Sequence, residues 1–136
     1  MSDRLKEKEE KLQHIIAKLA EESAEGKPVV VEGKKDAQTL RDLGLSGKIV
    51  MIKTGGKSFL QATEEIEQLR AHEVILLLDF DQRGKEGTMR LKHNLERAKV
   101  KVNTGYWKEL FSLVGREIQC VESLTSYLDT LRQKAA

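Results

Sequence analysis

The sequence predicts an α/β fold, in which a four-stranded, mainly parallel sheet is flanked by helices and extended by extra helices at the N- and C-terminal ends. Two observations support this prediction: short β-branched segments alternate with amphipathic segments from residue 29 onward, and the apolar segments are continuous. Such alternation is typical of a parallel sheet, and continuous apolar strands are typical of strands covered on both faces. The length of 136 residues favours a single domain.

The first segment, residues 2–22, is predicted to form a helix that packs through one stripe. Its apolar residues recur at three- and four-residue spacing, and lysine and glutamate occupy the other faces; the stripe comprises Leu12, Ile15, Ile16 and Leu19. Residues 24–28 end this helix, because Pro28 favours an extended backbone. We therefore expect residues 1–26 to pack as an N-terminal helix on a core formed by residues 27–104.

The elements of the core follow in order along the chain. Strands are predicted at residues 29–31, 49–52, 74–78 and 100–102, and helices at residues 36–43, 58–70 and 85–98. Residues 105–136 then carry two short helices with apolar faces, a C-terminal helical extension. Trp107 and Phe111 lie one turn apart in this extension, a spacing compatible with a base-stacking platform but more typical of packing.

Composition excludes several classes of protein. Lysine and arginine number 24 against 22 aspartates and glutamates, so any nucleic-acid binding has to come from a local concentration of basic residues. The single Cys120 cannot form an internal disulfide, which favours a reducing compartment. The N-terminal segment has no apolar leader, and the longest apolar run is too short to cross a bilayer. We expect a cytoplasmic protein that is not inserted in a membrane.

Acidic residues follow two of the predicted strands, where a parallel α/β sheet binds its ligands. Glu32 follows the first strand, and Asp79 and Asp81 follow the third. Two carboxylates about 5 Å apart repel by about 3 kcal/mol at an effective dielectric constant of about 20, so such a cluster calls for a cation or a proton. Oxygen ligands of this kind suit Mg²⁺, with Mn²⁺ possible. The alternative for each acid taken singly is a helix or loop cap.

Basic residues surround these acids in the sequence. Lys34, Lys57 and Arg83 lie nearest the predicted site and are the candidate phosphate-binding residues, although solvated surface positions are the ordinary place for such side chains. Residues 56–58 have the ending of an ATP-binding phosphate loop, but Met51 stands where that loop requires glycine. Response-regulator receivers and phosphoaspartate phosphatases carry their key acids after the first strand. The Asp-x-Asp pair of this chain follows the third strand, which argues against both classes.

Three motifs follow one another along the chain: Glu32-Gly33-Lys34-x-Asp36, Thr54-Gly55-Gly56 and Asp79-x-Asp81-x-x-Gly84. This ordered set resembles the Toprim family over about residues 29–102. That family includes topoisomerase modules, bacterial primases, recombination mediators and the 5S ribosomal RNA maturase. The chain is similar to its small stand-alone archaeal and bacterial members. The resemblance implies a Rossmann-like Toprim fold, a general acid/base role for Glu32, metal binding by Asp79 and Asp81, and backbone turns at Gly33, Gly55, Gly56 and Gly84.

The chain departs from the topoisomerase form of the family around the aspartates. Phe80 stands where proline is usual, and Arg83 and Lys85 stand where acids usually flank Gly84, which argues against strand passage. The leading hypothesis is a Mg²⁺-dependent, nuclease-like enzyme that acts on structured RNA or DNA. The alternative is a non-catalytic module that uses the same acids and bases to bind RNA, ribosomal particles or a DNA-repair complex.

Overall fold

One parallel sheet organises the molecule. The structure, a computed structural model, describes residues 3–135. Its strands are β1 (Val29–Val31), β2 (Ile49–Met51), β3 (Val74–Leu76) and β4 (Val102–Asn103), arranged in the order β2-β1-β3-β4. Every neighbouring pair is parallel, so the predicted α/β class and four-stranded sheet are confirmed.

Within residues 3–135, six helices surround the sheet, close to the predicted positions. They are α1 (Asp3–Ala24), α2 (Lys34–Asp42), α3 (Phe59–Gln68), α4 (Gln82–Arg97), α5 (Gly105–Val114) and α6 (Leu124–Ala135), with short 3₁₀ turns at Thr54–Gly56 and Val121–Ser123. Ser2, the predicted first residue of the N-terminal helix, lies outside the described residues, as do Met1 and Ala136. None of the helices within residues 3–135 has the length and apolar content that a membrane crossing requires.

The starts of α4 and β4 differ from the prediction for local reasons. Helix α4 begins three residues earlier than expected because the Asp81 carboxylate caps it, accepting a hydrogen bond from the Gly84 N–H at 2.7 Å. Strand β4 begins two residues later than expected because Lys99 has a left-handed backbone with φ of 65°. The Val100 N–H then donates to the Leu95 carbonyl at 2.9 Å, so Val100 still belongs to the turn that ends α4.

Helices cover both faces of the sheet, which explains why the strands are apolar without alternation. Val29, Val31, Ile75 and Leu77 point to the face covered by α1, α2, α5 and α6. Val30, Val50, Leu76 and Leu78 point to the opposite face, which α3 and α4 cover. Helix α1 packs against α5 and α6, so the two ends of the chain together form the outer layer of the first face.

The strand order fixes where a ligand site can form. Strand β2 lies on one side of β1 and β3 on the other, so the order of the sheet reverses between β1 and β3. The register aligns Val31 with Met51 and Val30 with Leu76, and the segments after all three strands emerge at one edge. In open α/β sheets, the crevice at such a reversal is the usual ligand site.

Candidate metal and phosphate site

Glu32 and Asp79 meet at this reversal point. Glu32 Oε2 accepts a hydrogen bond from the Asp79 N–H at 3.0 Å, and Oε1 forms an ion pair with Lys53. The Glu32 side chain is only 12% exposed. Burial opposes its ionisation, but the Lys53 ammonium and the Asp79 N–H outweigh burial and hold the pKa of Glu32 below its ordinary value. Glu32 is therefore a carboxylate at neutral pH, able to accept a proton.

The surroundings of Asp79 shift its pKa in the opposite direction from that of Glu32. Burial, together with the negative charges of Asp36 and Glu32, raises the pKa of Asp79 to about 7, although its Oδ1 accepts a hydrogen bond from the Val121 N–H at 3.2 Å. Carboxylates this close repel, and a proton or a cation between them relieves the repulsion. The negative charge around Asp79 is thus neutralised either by a proton or by a bound cation.

Asp36 is a third acid of this site, although the sequence analysis did not assign it a role. It is buried at the start of α2, where its two carboxylate oxygens accept hydrogen bonds from the N–H groups of Gly33 at 3.1 Å and Glu122 at 3.0 Å. Burial raises the pKa of Asp36 despite these bonds. Its place four residues after Glu32, at the beginning of a helix, is the sequence signal that marks it.

Residues 119–123, which we call the C-terminal loop, lie against these acids. The Val121 N–H donates to Asp79, and the Glu122 N–H donates to Asp36. The Gln119 carbonyl accepts a hydrogen bond from the Phe80 N–H at 2.8 Å. Trp107 of α5 reaches the same place: its indole N–H donates to the carbonyls of Leu78 at 3.0 Å and Asp79 at 3.1 Å. The C-terminal extension therefore fixes the backbone on which Asp79 stands.

Asp81 is placed differently from Glu32 and Asp79. One of its oxygens caps α4, and its side chain does not line the cavity beside Asp79. Across residues 3–135, no three side chains among histidine, cysteine, aspartate and glutamate are grouped closely enough to hold a metal ion together. The structure thus brings Glu32 and Asp79 together, and the metal role of Asp81 stays a prediction.

Two small cavities adjoin the Glu32–Lys53 ion pair, and both include these two residues. The first, which we call the acidic cavity, has a volume of about 280 Å³; its other lining residues include Lys34, Lys35, Asp36, Asp79, Cys120 and Glu122. The second, the arginine cleft, also measures about 280 Å³; its other lining residues include Ile52, Phe59, Leu78, Arg83, Glu86, Gly87 and Arg90. A larger groove of about 730 Å³ lies between α1 and α5, away from the strand ends that carry the acids.

The three candidate phosphate-binding residues fall in three different places. Lys34 lines the acidic cavity and Arg83 lines the arginine cleft. Lys57 forms an ion pair with Glu65 on α3 and lines neither cavity. Lys53, which the sequence analysis did not select, is the basic residue in direct contact with Glu32.

The four candidate turn glycines differ in whether the structure requires glycine at their positions. Gly55 and Gly56 have φ of 73° and 68°, in the left-handed region that favours glycine. At Gly84, an added Cβ would lie 2.0 Å from the Asp79 carbonyl oxygen, so the absence of a side chain lets α4 approach the end of β3. At Gly33, an added Cβ would meet nothing within 4 Å.

The donor atoms of the site fit magnesium. Mg²⁺ is commonly held by one or two carboxylates together with water and substrate phosphates, and Glu32 and Asp79, which both line the acidic cavity, supply carboxylates of this kind. Zinc prefers histidine and cysteine ligands, and Cys120 is the one residue of those two types that lines the acidic cavity. Glu32 and Asp79 would hold the ion, and the second oxygen of Asp81 is a further candidate ligand.

Comparison with known proteins identifies the family. The family model of the Toprim domain matches residues 27–109. A UPF0292 protein from Methanocaldococcus jannaschii is 38% identical over 88% of this chain and 91% of its own length. A second UPF0292 protein, from Methanosarcina barkeri, is 30% identical over 92% of this chain and 85% of its own.

A solved structure supports the same assignment at the level of the fold. A protein from Aquifex aeolicus superposes with a TM-score of 0.67 at 24% sequence identity, covering 81% of this chain and 94% of that one. Toprim domains in general bind Mg²⁺ and are associated with nucleic acids. The resemblance inferred from the ordered motifs is confirmed: the chain belongs to the Toprim domain family.

Proposed function

We propose that the protein binds Mg²⁺ at Glu32 and Asp79 and acts on the phosphodiester bonds of structured RNA or DNA. The observation that carries this proposal is the contact between these acids at the reversal point of the sheet, where both basic-lined cavities adjoin Glu32. The cytoplasm, where Cys120 stays reduced, is the compartment we propose for it.

The proposed roles follow from the contacts of each residue. Glu32, held ionised by Lys53, accepts a proton from the attacking water, a contribution typically of about 10²–10⁴ in rate. When bound, Mg²⁺ supplies positive charge that polarises a phosphoryl oxygen. Lys34 in the acidic cavity and Arg83 in the arginine cleft bind the phosphates on the two sides of Glu32.

A test of catalysis replaces Glu32 without changing its size. Glu32→Gln keeps an oxygen that accepts from the Asp79 N–H but cannot take up a proton, so cleavage of labelled RNA and DNA hairpins in Mg²⁺ or Mn²⁺ should fall by about 10²–10⁴. Binding in a gel-shift assay should survive. Glu96→Gln, an exposed acid on α4, is the matched control and should cleave like the unmodified protein. Equal background cleavage in all three proteins would refute the catalytic role.

A second candidate is a binding module without catalysis. The observation that favours it is that the acids already have partners within the chain: Lys53 pairs with Glu32, and the C-terminal loop donates to Asp79 and Asp36. Such a module would bind RNA, a ribosomal particle or a repair complex. In the same assays it would cleave no hairpin, and Glu32→Gln would leave binding unchanged or strengthen it by removing a negative charge near phosphate.

A further inference from the structure

The arginine cleft has different walls from the acidic cavity, although the two share Glu32 and Lys53. The acidic cavity is lined by the start of α2 and the C-terminal loop, whereas the cleft is lined by α3, α4 and the ends of β2 and β3. The helices that line the two cavities cover opposite faces of the sheet, and Glu32 and Lys53 are the residues that both cavities have in common.

Helix α4 forms the wall of the cleft through one face. Arg83, Glu86, Gly87 and Arg90 follow one another at spacings of three, one and three residues, which places them on the same side of a helix. Gly87 has no side chain to fill the space: an added Cβ would lie 3.2 Å from Leu78 Cδ1 and 3.6 Å from Phe59 Cζ. The apolar floor of the cleft, formed by Ile52, Leu78 and Phe59, is therefore left open.

Among the residues that the structure describes, the two arginines of the cleft have no acidic partner. The Arg90 guanidinium lies 4.7 Å from the centre of the Phe59 ring, a cation–π contact that orients it and leaves its N–H groups available. Within residues 3–135, neither Arg83 nor Arg90 forms an ion pair, and the nearby Glu86 instead accepts a hydrogen bond from Gln82. Arginines presented in this way are well suited to bind phosphate, because the planar guanidinium donates two hydrogen bonds at once.

We propose that the arginine cleft is a subsite for one nucleotide of the strand that is bound at Glu32 and Asp79. Arg83 and Arg90 bind the backbone phosphate of that nucleotide, and the floor of Phe59, Ile52 and Leu78 contacts its sugar or base. The volume of about 280 Å³ lies at the lower end for ligand pockets, which fits a single nucleotide unit. The proposal rests on the proposed function and adds Arg90 and Phe59 to its binding residues.

The test measures binding rather than cleavage. Fluorescence anisotropy of labelled RNA and DNA hairpins with single-stranded tails is recorded for the full chain at several salt concentrations, in EDTA and in Mg²⁺. Arg83→Ala and Arg90→Ala should each weaken binding by about fivefold or more and lower the salt slope by about 0.7, the value for one phosphate contact on a single strand. Arg90→Lys keeps the charge but loses the planar guanidinium, so it should recover the salt slope and only part of the affinity.

The matched control is Arg97→Ala, which removes an exposed arginine of the same helix that does not line the cleft. It should bind within about twofold of the unmodified protein, and circular dichroism melting should show all variants folded. If the unmodified protein binds and both cleft variants bind equally well, the subsite and the phosphate role of Arg83 are refuted, while the proposed Mg²⁺ binding and phosphodiester chemistry at Glu32 and Asp79 stand. If the unmodified protein binds none of the RNA or DNA hairpins, the proposed function fails, and the subsite fails with it.

Discussion

Replacement of Gly84 by alanine tests the close approach of α4 to the segment that follows β3 and carries Asp79. An added Cβ would lie 2.0 Å from the Asp79 carbonyl oxygen, whereas ordinary contact begins at 3.4 Å, so the first turn of α4 has to move by about 3.4 − 2.0 = 1.4 Å. That movement is enough to break the 2.7 Å hydrogen bond from the Gly84 N–H to Asp81. It also displaces the backbone of Asp79 and Asp81 relative to Glu32.

The expected cost combines two effects. Loss of a helix cap costs about 1 kcal/mol, and overpacking costs about 1–3 kcal/mol. Alanine returns about 1 kcal/mol through its better helix propensity, which leaves a net loss of about 1–3 kcal/mol in the free energy of unfolding. For a chain of this size, 1 kcal/mol corresponds to about 3–5 °C, so Tm should fall by about 3–15 °C.

Thermal and urea unfolding, followed by circular dichroism, measure this loss. The matched control is Gly87→Ala on the same helix, where the nearest atom is a Leu78 methyl at 3.2 Å that can rotate away. That variant should stay within about 1 kcal/mol of the unmodified protein. If Gly84→Ala melts like Gly87→Ala, the close approach of α4 to Asp79 is wrong.

Three further predictions concern metal, pH and phosphate. Mg²⁺ at 10 mM should stabilise the protein by about 1.4 kcal/mol if Kd is about 1 mM, and calorimetry should show weaker binding in both Asp79→Asn and Asp81→Asn; unchanged binding in both would contradict the site. The Asn103 amide, with Lys27 and Lys101, lowers the pKa of Glu73, so its contribution to stability is present above the unfolded pKa near 4.5 and is lost as pH falls below it. Melting of Glu73→Gln should therefore depend less on pH between about pH 5 and pH 3 than melting of the unmodified protein, and parallel pH profiles would refute this. Lys57→Ala should weaken nucleic-acid binding and lower the salt slope by about one phosphate contact, whereas Glu65→Gln, which removes only the partner of Lys57, should not; identical slopes in all three proteins would show that Lys57 does not contact phosphate.

The strands of the sheet were predictable because their signal is local. Val29–Val31 and Val74–Leu76 are apolar at every position, since each strand is covered on both faces. The boundaries of α4 and β4 were not predictable to the residue. Asp81 caps α4 so that the helix begins three residues before the predicted start at Lys85. The left-handed backbone at Lys99 has no marker in the sequence because the residue is not glycine.

The candidate site likewise has some contacts that the sequence predicts and others that it does not. The contact between Glu32 and Asp79 follows from parallel topology, because Glu32 directly follows β1 and Asp79 lies three residues beyond the end of the neighbouring strand β3. The contacts of Asp36 with Glu122 and of Asp79 with Val121 join residues 86 and 42 positions apart, and no local pattern specifies such pairs. The choice of Lys53 rather than Lys57 as the partner of Glu32 likewise depends on how the segment after β2 turns.

Trp107 gives the molecule an optical reporter of its own site. It is the single tryptophan of the sequence, it is 6% exposed, and its indole N–H donates to the carbonyl of Asp79 itself. The emission of an indole depends on its hydrogen bonding and on its access to water. A displacement of the Asp79 backbone should therefore change the fluorescence of Trp107 without any direct contact between Trp107 and a metal or substrate. If the proposed cation or substrate displaces that backbone, its binding should be detectable in the unlabelled protein through this one side chain, and so should detachment of the C-terminal helices.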